Sequence, residues 1–357
     1  MAITSRKAGV AGLAVLGLSA AALAGCTPAE PTDTFIPCMI SDTGGFDDKS
    51  FNQLGFEGIT EASTELGATA ITVESTTDAD YAPNLDSLVA EGCDLIVTVG
   101  FNLSAATVEY ALANPDIDFA IVDDAADNDF NGETDAPNIK PILFDTAQAA
   151  FLAGYVAASH TETGKIGTYG GMAFPTVSIF MDGLAQGVAY YNDEMGTSVE
   201  VLGWDAAAQD GTFIGVFSPG PESTNAANNF LEQDVDVLLP VGGPIYQSAI
   251  EAIADSGKTV AMIGVDADLT QTDPANASYF LTSILKQIKV AVHDVVVEAG
   301  SGTVDYTPYI GTLENGGVGI APFHDFESVV TVDAAKLDEL SAGIIDGSIP
   351  VTSYLAG

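Results

Sequence analysis

Basic residues are scarce in this sequence of 357 residues, where 9 lysines and arginines face 50 aspartates and glutamates and the formal net charge is −41. A surface with so strong a negative charge repels phosphate backbones and anionic lipid headgroups. The composition therefore excludes nucleic acid as a partner. It bears on solubility, and it does not by itself indicate what the protein binds.

Histidine and cysteine are also rare, with three of each. No histidine lies near a cysteine in the sequence, and His160, His293 and His324 all lie outside the glycine-rich loops described below. The sequence therefore predicts no metal site and no cofactor. It also lacks a nucleophile next to a base, the arrangement that covalent catalysis needs, so we expect that the protein is not an enzyme.

The apolar run at the N-terminus, Ala8 to Ala22, is shorter than the roughly 20 residues of a membrane-spanning helix. It follows Arg6 and Lys7, and the small residues of Leu23-Ala24-Gly25 come next, as in a secretory signal. The cysteine directly after them matches the bacterial lipobox. The sequence predicts a lipoprotein signal peptide at residues 1–25, lipidation of Cys26, and a tether at residues 26–33, rather than a transmembrane anchor.

Two cysteines remain after Cys26, and each lies near the start of an apolar run that is typical of a strand. Cys38 lies within Ile36 to Ile40, and Cys93 precedes Leu95 to Val99. In a sheet ordered 2-1-3, these two strands are neighbours about 4.8 Å apart. Disulfides persist in exported proteins. The sequence therefore favours a Cys38–Cys93 disulfide, and two buried free thiols are the alternative.

Strand-like and helix-like segments alternate from Ile36 to Val265 in two successive series. This alternation indicates parallel α/β sheets, and right-handed crossovers restrict each series to a doubly wound sandwich. A mature chain of about 330 residues is also long for one core, so two lobes are expected. The predicted fold class is α/β, with two doubly wound parallel-sheet lobes joined by hinges: the type I periplasmic binding protein fold.

Glycines and acidic residues recur where the predicted strands end. Ligands of open parallel sheets bind at the carboxyl ends of the strands, against helix N-termini. Each of these loops alone would fit a plain turn, but their recurrence predicts a binding site. The loops are Asp42 to Ser50, Gly100 to Asn102, Asp123-Asp124, Gly170 to Met172, Phe213 to Pro221, Gly242-Gly243 and Asp266 to Asp268.

The segment Asp42-Thr-Gly-Gly-Phe-Asp-Asp-Lys-Ser-Phe-Asn-Gln53 resembles the signature of the basic membrane protein family, nucleoside-binding lipoproteins that deliver ligand to ABC importers. The resemblance extends over nearly the whole mature chain. The triple crossover of the predicted fold gives two lobes: residues 34–144 with 267–318 form lobe 1, and residues 145–266 with 319–357 form lobe 2. A helix from Leu281 to Ala299 would return the chain to lobe 1, and Gly316 to Gly319 would form the third hinge.

The resemblance also implies roles for single residues. A phenylalanine from each lobe would stack on the nucleobase, and these are Phe51 and Phe217. Asp266, in an Ile-Gly-Val-Asp motif, would accept hydrogen bonds from two vicinal ribose hydroxyls. The other implied ligand-binding residues are Asp42, Asn52 and Asp123 near the base or the sugar, Gly242 and Gly243 in a backbone contact loop, and Lys286.

Two departures from the family pattern leave alternatives open. The stretch between Trp204 and Phe217 is longer than usual, so Phe213 is an alternative to Phe217 as the second stacking ring. An acidic pair, Asp123-Asp124, stands where one acid commonly suffices, so either could contact the ligand.

The resulting expectation is a substrate-binding lipoprotein of an ABC importer, which captures a purine nucleoside between its lobes. Its partners would be a permease and its ATPase, and it would act as a monomer, lipid-anchored on the extracytoplasmic face of the cell membrane. One alternative is a sugar or quorum-signal receptor, because a fold alone does not determine a ligand. A nucleoside hydrolase is a minor alternative. The segment Ser41 to Asp48 faintly resembles the calcium loop of nucleoside hydrolases, but Ser41 and Thr43 replace two acids that this loop needs.

Overall fold

The computed structural model describes residues 35–355, so the predicted signal peptide, Cys26 and the tether lie outside the described residues. Strands are numbered in chain order. They are β1 (Pro37–Ile40), β2 (Ile71–Val73), β3 (Leu95–Val99), β4 (Asp118–Val122), β5 (Ile139–Phe144), β6 (Lys165–Gly170), β7 (Glu200–Leu202), β8 (Trp204–Asp205), β9 (Asp210–Gly211), β10 (Val237–Val241), β11 (Ala261–Asp266), β12 (Phe280–Lys286), β13 (Tyr309–Gly311) and β14 (Val318–Ile320).

The helices alternate with these strands. Glycines in the left-handed conformation end three of them, as is common at helix C-termini, and proline opens two, one of which also ends at such a glycine. The helices are α1 (Phe51–Leu66), α2 (Tyr81–Ala90), α3 (Ser104–Ala113), α4 (Thr146–His160), α5 (Pro175–Met195), α6 (Pro221–Glu232), α7 (Tyr246–Ser256), α8 (Leu269–Thr272), α9 (Ile288–Gly300) and α10 (Ala334–Ile345).

The strands form two six-stranded sheets of matching topology, in the orders β13-β5-β4-β3-β1-β2 and β14-β12-β11-β10-β6-β7. Pairing is parallel except at the edge of the second sheet, where β14 runs antiparallel to β12. A short hairpin of β8 and β9 stands apart. The predicted fold class of two doubly wound lobes is confirmed, and each position in one sheet has a counterpart in the other.

The central strands are continuous apolar runs because helices cover both of their faces. Every residue of β3, β10 and β11 is buried. Their carboxyl ends lead into the loops that begin at Gly100, Gly242 and Ala267. The sheets thus hold the loops of the predicted site on rigid supports.

Helix α4 is buried around most of its circumference, because it packs against α5, β12, β14 and α10 in the second lobe. Glycines allow the backbones of α4 and α5 to touch. A Cβ atom at Gly154 would lie 2.2 Å from the carbonyl oxygen of Leu184, and one at Gly187 would lie 2.0 Å from that of Phe151. Any side chain at either position would therefore force the helices apart.

The predicted helix from Leu281 to Ala299 is wrong in its first third. Phe280–Lys286 forms β12, which pairs in parallel with β11, and only Ile288–Gly300 is helical. A short apolar run is compatible with the period of a helix and with that of a strand, and pairing with β11 favours the strand here. The boundary between the lobes that was predicted at residue 267 therefore does not coincide with the end of the second sheet. Strand β12, which ends at Lys286, still belongs to that sheet. Helix α9 then packs against α1 of the first lobe.

The predicted disulfide between Cys38 and Cys93 is present, with the Cα atoms 5.9 Å apart. Strands β1 and β3 are neighbours, and Cys93 lies just before β3. Both cysteines are buried. Among the described residues, none of the helices combines the length and the apolarity needed to cross a bilayer.

Candidate functional site

A cavity lies between the carboxyl ends of the two sheets, and it is lined by loops from both lobes. Its free volume is about 60 Å³, well below the roughly 300–1,000 Å³ of typical ligand pockets. The lobes therefore lie close together here, and they would have to open for a ligand to enter. The cavity lining includes every ligand-binding residue predicted from the sequence: Asp42, Phe51, Asn52, Asp123, Phe217, Gly242, Gly243, Asp266 and Lys286.

The loop between β1 and α1 contributes a chain of hydrogen bonds that begins at Asp48. Its carboxylate accepts the backbone N–H groups of Ser50, Asn52 and Gln53, so it caps the N-terminus of α1. The same carboxylate accepts from Asn52 Nδ2, which also donates to Asp42 Oδ1 at 2.7 Å. Asp48 therefore orients Asn52, and Asn52 orients Asp42.

Burial governs the charge of these two acids. It raises the pKa of Asp42 to about 6, against the opposing effect of hydrogen bonds from Gly44 and Asn52. Burial likewise raises the pKa of Asp48, against the backbone donors of α1. Within residues 35–355, the hydrogen bonds from Gly44 and Asn52 to the Asp42 carboxylate both end on Oδ1, so Oδ2 is available to a hydrogen-bond donor of a ligand.

Lys286, at the end of β12, lies between the carboxylates of Asp123 and Asp266. All three side chains are buried, with relative exposures of 2%, 7% and 6%. Burial lowers the pKa of Lys286, but the two carboxylates outweigh burial and raise it overall. Burial raises the pKa of Asp123 to about 6 despite the opposing effect of Lys286, and it also raises the pKa of Asp266.

Asp123 and Asp266 occupy corresponding places in the two lobes, where β4 and β11 end. Each has a left-handed backbone, with φ of 64° and 66°, a conformation that Asp and Asn tolerate better than most residues. Burying a charge is costly unless it is paired and hydrogen-bonded, and Lys286 forms an ion pair with both acids. The Nζ atom of Lys286 also lies near aromatic rings, 4.9 Å from the centroid of Phe180 and 5.4 Å from that of Phe51.

The structure distinguishes between the residues that the sequence left as alternatives. Phe217 lines the cavity, whereas Phe213 forms an isolated bridge with Gly170. Asp123 lines the cavity, whereas the carboxylate of Asp124 accepts from Ser104 Oγ and from the backbone N–H of Ala126. Phe217 and Asp123 are thus the members of each pair that a ligand could reach.

Sequence reasoning placed the loops Asp42 to Ser50 and Gly100 to Asn102 at the site, but it gave no individual role to several residues that line the cavity. Asp48 had a detectable signal, because it precedes the N-terminus of α1 as a capping residue does. Phe174 and Phe180 lie at the start of α5, the counterpart of α1 in the second lobe, and this correspondence is visible only in the sheet order. The unassigned lining residues include Gly44, Asp48, Gly100, Phe101, Asn102, Phe174, Thr176, Val177, Phe180 and Pro244.

Gly171 supports the ring of Phe217. A Cβ atom at Gly171 would lie 2.4 Å from two ring carbons of Phe217 and 2.8 Å from the carbonyl oxygen of Val216. We expect Gly171→Ala to displace the ring and to weaken the binding of a flat ligand that stacks on it by roughly 5- to 150-fold. Calorimetry measures this loss. Gly319→Ala, where a Cβ atom meets nothing within 4 Å, is the matched control, and equal affinities of the two variants would contradict the prediction.

Two lobes of matching topology that close on a buried, polar and aromatic cavity define the class of two-lobed solute-binding proteins. The comparisons with known proteins agree. A family model described as "ABC transporter substrate-binding protein PnrA-like" (Bmp) matches residues 35–353. The chain therefore belongs to the Bmp family of ABC transporter substrate-binding proteins. The members of this family are binding proteins and not enzymes, as the sequence predicted.

Individual relatives cover most of the chain. A CD4+ T-cell-stimulating antigen of Listeria monocytogenes is 30% identical, over 89% of this chain and 88% of the relative. The ABC transporter nucleoside-binding protein BmpA of Lactococcus lactis is 26% identical, over 98% and 99%. Among solved structures, an ABC transporter solute-binding protein from Aeropyrum pernix K1 has a TM-score of 0.71 at 26% identity, covering 88% of this chain and 86% of that one.

Proposed function

We propose that this substrate-binding protein captures a nucleoside, specifically a purine nucleoside, between its two lobes and delivers it to an ABC permease. The observation that carries the proposal is the composition of one cavity. Phe51 from the first lobe and Phe217 from the second line it together with the buried group of Asp123, Lys286 and Asp266. The Lactococcus lactis relative, named as nucleoside-binding, supports the same choice.

The chemistry of the cavity fits a ligand that is flat at one end and rich in donors at the other. Phe51 and Phe217 would stack on the base, which offers a π-face to each ring. Asp266 would accept from the two vicinal hydroxyls of ribose, and Asp42 with Asn52 would bond the edge of the base. Asp123 and Lys286 would complete the polar contacts, and Gly242 and Gly243 would present backbone groups.

The direct test is to identify what the protein binds. We expect mass spectrometry of the purified protein to find a copurifying nucleoside, and calorimetry to show binding of adenosine or guanosine. A bound base also absorbs in the ultraviolet, whereas a sugar does not. Binding of a hexose with no binding of any nucleoside would overturn the proposal in favour of a sugar receptor of the same fold.

The pH dependence of binding follows from Asp42 and Asp123. Both have a pKa of about 6, and a protonated carboxyl accepts hydrogen bonds poorly. We expect affinity for adenosine to fall below about pH 6, by up to about tenfold per pH unit for each acid that must be ionised. Calorimetry between pH 7.5 and pH 5 measures the slope. Asp42→Asn should lower the affinity at neutral pH and flatten the profile, and an unchanged profile would contradict the role of Asp42.

The effect of these two acids on stability has the opposite sign. Their pKa values in the folded state lie above the ordinary value of 3.8. Between about pH 4 and pH 6, the folded state therefore binds more protons than the unfolded state, and their contribution to stability is lost as the pH rises through about 6. A ligand that donates hydrogen bonds to both acids would offset this cost.

We further propose that the protein is a monomer, anchored through a lipid on Cys26 to the extracytoplasmic face of the membrane, with a permease and its ATPase as partners. The leader Leu23-Ala24-Gly25-Cys26 supports this assignment. We expect mass spectrometry of the native protein to find a diacylglyceryl cysteine as its first residue. A mature N-terminus at any other residue would reject the anchor without affecting the proposed ligand.

A further inference from the structure

Phe101 and Phe174 stack directly on each other, with ring centroids 4.5 Å apart and planes inclined by 22°. Phe101 follows β3 of the first sheet, and Phe174 precedes α5 beside β6 of the second sheet. The contact therefore joins the two lobes. Both rings line the cavity, and the sequence assigned an individual role to neither, although Phe101 lies in the predicted loop Gly100 to Asn102.

The geometry distinguishes this pair from a clamp on a base. Two rings that hold a flat base between them must be roughly 7 Å apart, twice the contact distance of carbon atoms. At 4.5 Å, Phe101 and Phe174 contact each other and leave no room for a third ring. Phe174 also lies 5.9 Å from Phe217, centroid to centroid, so the pair extends to the ring proposed to stack on the base.

We propose that Phe101 and Phe174 form an aromatic clasp, which holds the lobes closed and positions Phe217 without itself binding the base. Because the rings belong to different lobes, their contact exists only when the lobes are together. The clasp must open for a ligand to enter and must re-form afterwards. Polar contacts accompany it across the same interface, since Ser50 Oγ donates to Val265 O at 2.8 Å and to Asp266 Oδ2 at 3.1 Å.

A clasp of this kind has a kinetic signature. Loss of either ring favours the open state, so a bound ligand should leave faster while its rate of entry changes less. We expect Phe101→Ala to raise koff by roughly 2- to 12-fold, the range for one aromatic pair. The factor should be the same for adenosine and guanosine, because the pair does not contact the base. A ring that touched the base would give different factors for the two ligands.

The test combines a mutant cycle with two measurements. Stopped-flow fluorescence gives kon and koff, and this part rests on the proposed nucleoside function. Small-angle scattering of the ligand-free protein gives the radius of gyration and needs no ligand. We expect Phe101→Ala, Phe174→Ala and the double variant to be more open than the wild type, with the double variant no more affected than Phe174→Ala. Phe130→Ala, whose ring is 86% exposed, is the matched control.

The outcomes separate the clasp from the proposed function. Additive effects of the two changes, or an unchanged radius of gyration in both single variants, would overturn the clasp whatever the ligand is. If no nucleoside binds but the variants open non-additively, the clasp stands and the proposed function fails. Phe101→Leu keeps the apolar volume with less stacking surface, so it replaces Phe101→Ala if that variant does not fold, with the same opening expected.

Discussion

Asp266→Asn is expected to weaken nucleoside binding by roughly 150-fold or more, the largest loss among the site variants. Two ribose hydroxyls would lose a charged acceptor inside a closed cavity, and Lys286 would lose one of its two buried partners. Asparagine isolates the effect of charge, because it has the size of aspartate and tolerates the left-handed backbone at this position, where φ is 66°. The measurement is calorimetry with adenosine and 2′-deoxyadenosine.

The preference between these two ligands tests the assignment more sharply than affinity does. We expect Asp266→Asn to erase the preference for ribose over 2′-deoxyribose. Phe51→Ala should lower the affinity for both ligands by roughly 5- to 150-fold and leave the preference for ribose intact. Asp268→Asn is a matched control on the same loop, because the Asp268 carboxylate bonds Thr270 and His324 outside the cavity. An Asp266→Asn variant with wild-type affinity and preference would disprove the ribose contact.

Removing the Cys38–Cys93 disulfide is expected to lower the free energy of unfolding by about 4 kcal/mol in the chain-entropy model, because the bridge closes a loop with a sequence separation of 55 residues. The suitable variant is Cys38→Ala with Cys93→Ala, since both positions are buried and a serine hydroxyl would need a partner there. Urea unfolding of the variant, and of the wild type with and without reductant, measures the loss.

Ligand affinity should survive this change. Cys93 precedes β3, at the end of the strand opposite to Gly100 and the cavity. The double variant is therefore expected to bind its ligand normally at a temperature where it remains folded. Reductant should destabilise the wild type but not the variant. Two free thiols in the unreduced wild-type protein after unfolding would exclude the bridge in solution.

The sequence predicted the supports of the site well, because strand ends carry strong local signals. The apolar run Leu95 to Val99 coincides with β3, and Asp266, predicted to follow its strand, is the last residue of β11. Prediction failed at Leu281 to Lys286, which is a strand and not the start of a helix. The short run Leu281 to Leu285 is compatible with the period of a helix and with that of a strand, and pairing with β11, a tertiary contact, decides between them.

The amino-acid sequence by itself determined the alternation of strands and helices, the strand-end loops and the neighbouring positions of Cys38 and Cys93. These follow from local periodicity and from the few topologies that parallel sheets allow. Only the tertiary structure decided that Lys286 pairs with both Asp123 and Asp266, and that Phe217 rather than Phe213 faces the cavity. It also brought Phe101 and Phe174 into contact. These contacts join residues far apart in the chain, and their distances depend on how two separately folded lobes close on each other, which no local pattern encodes.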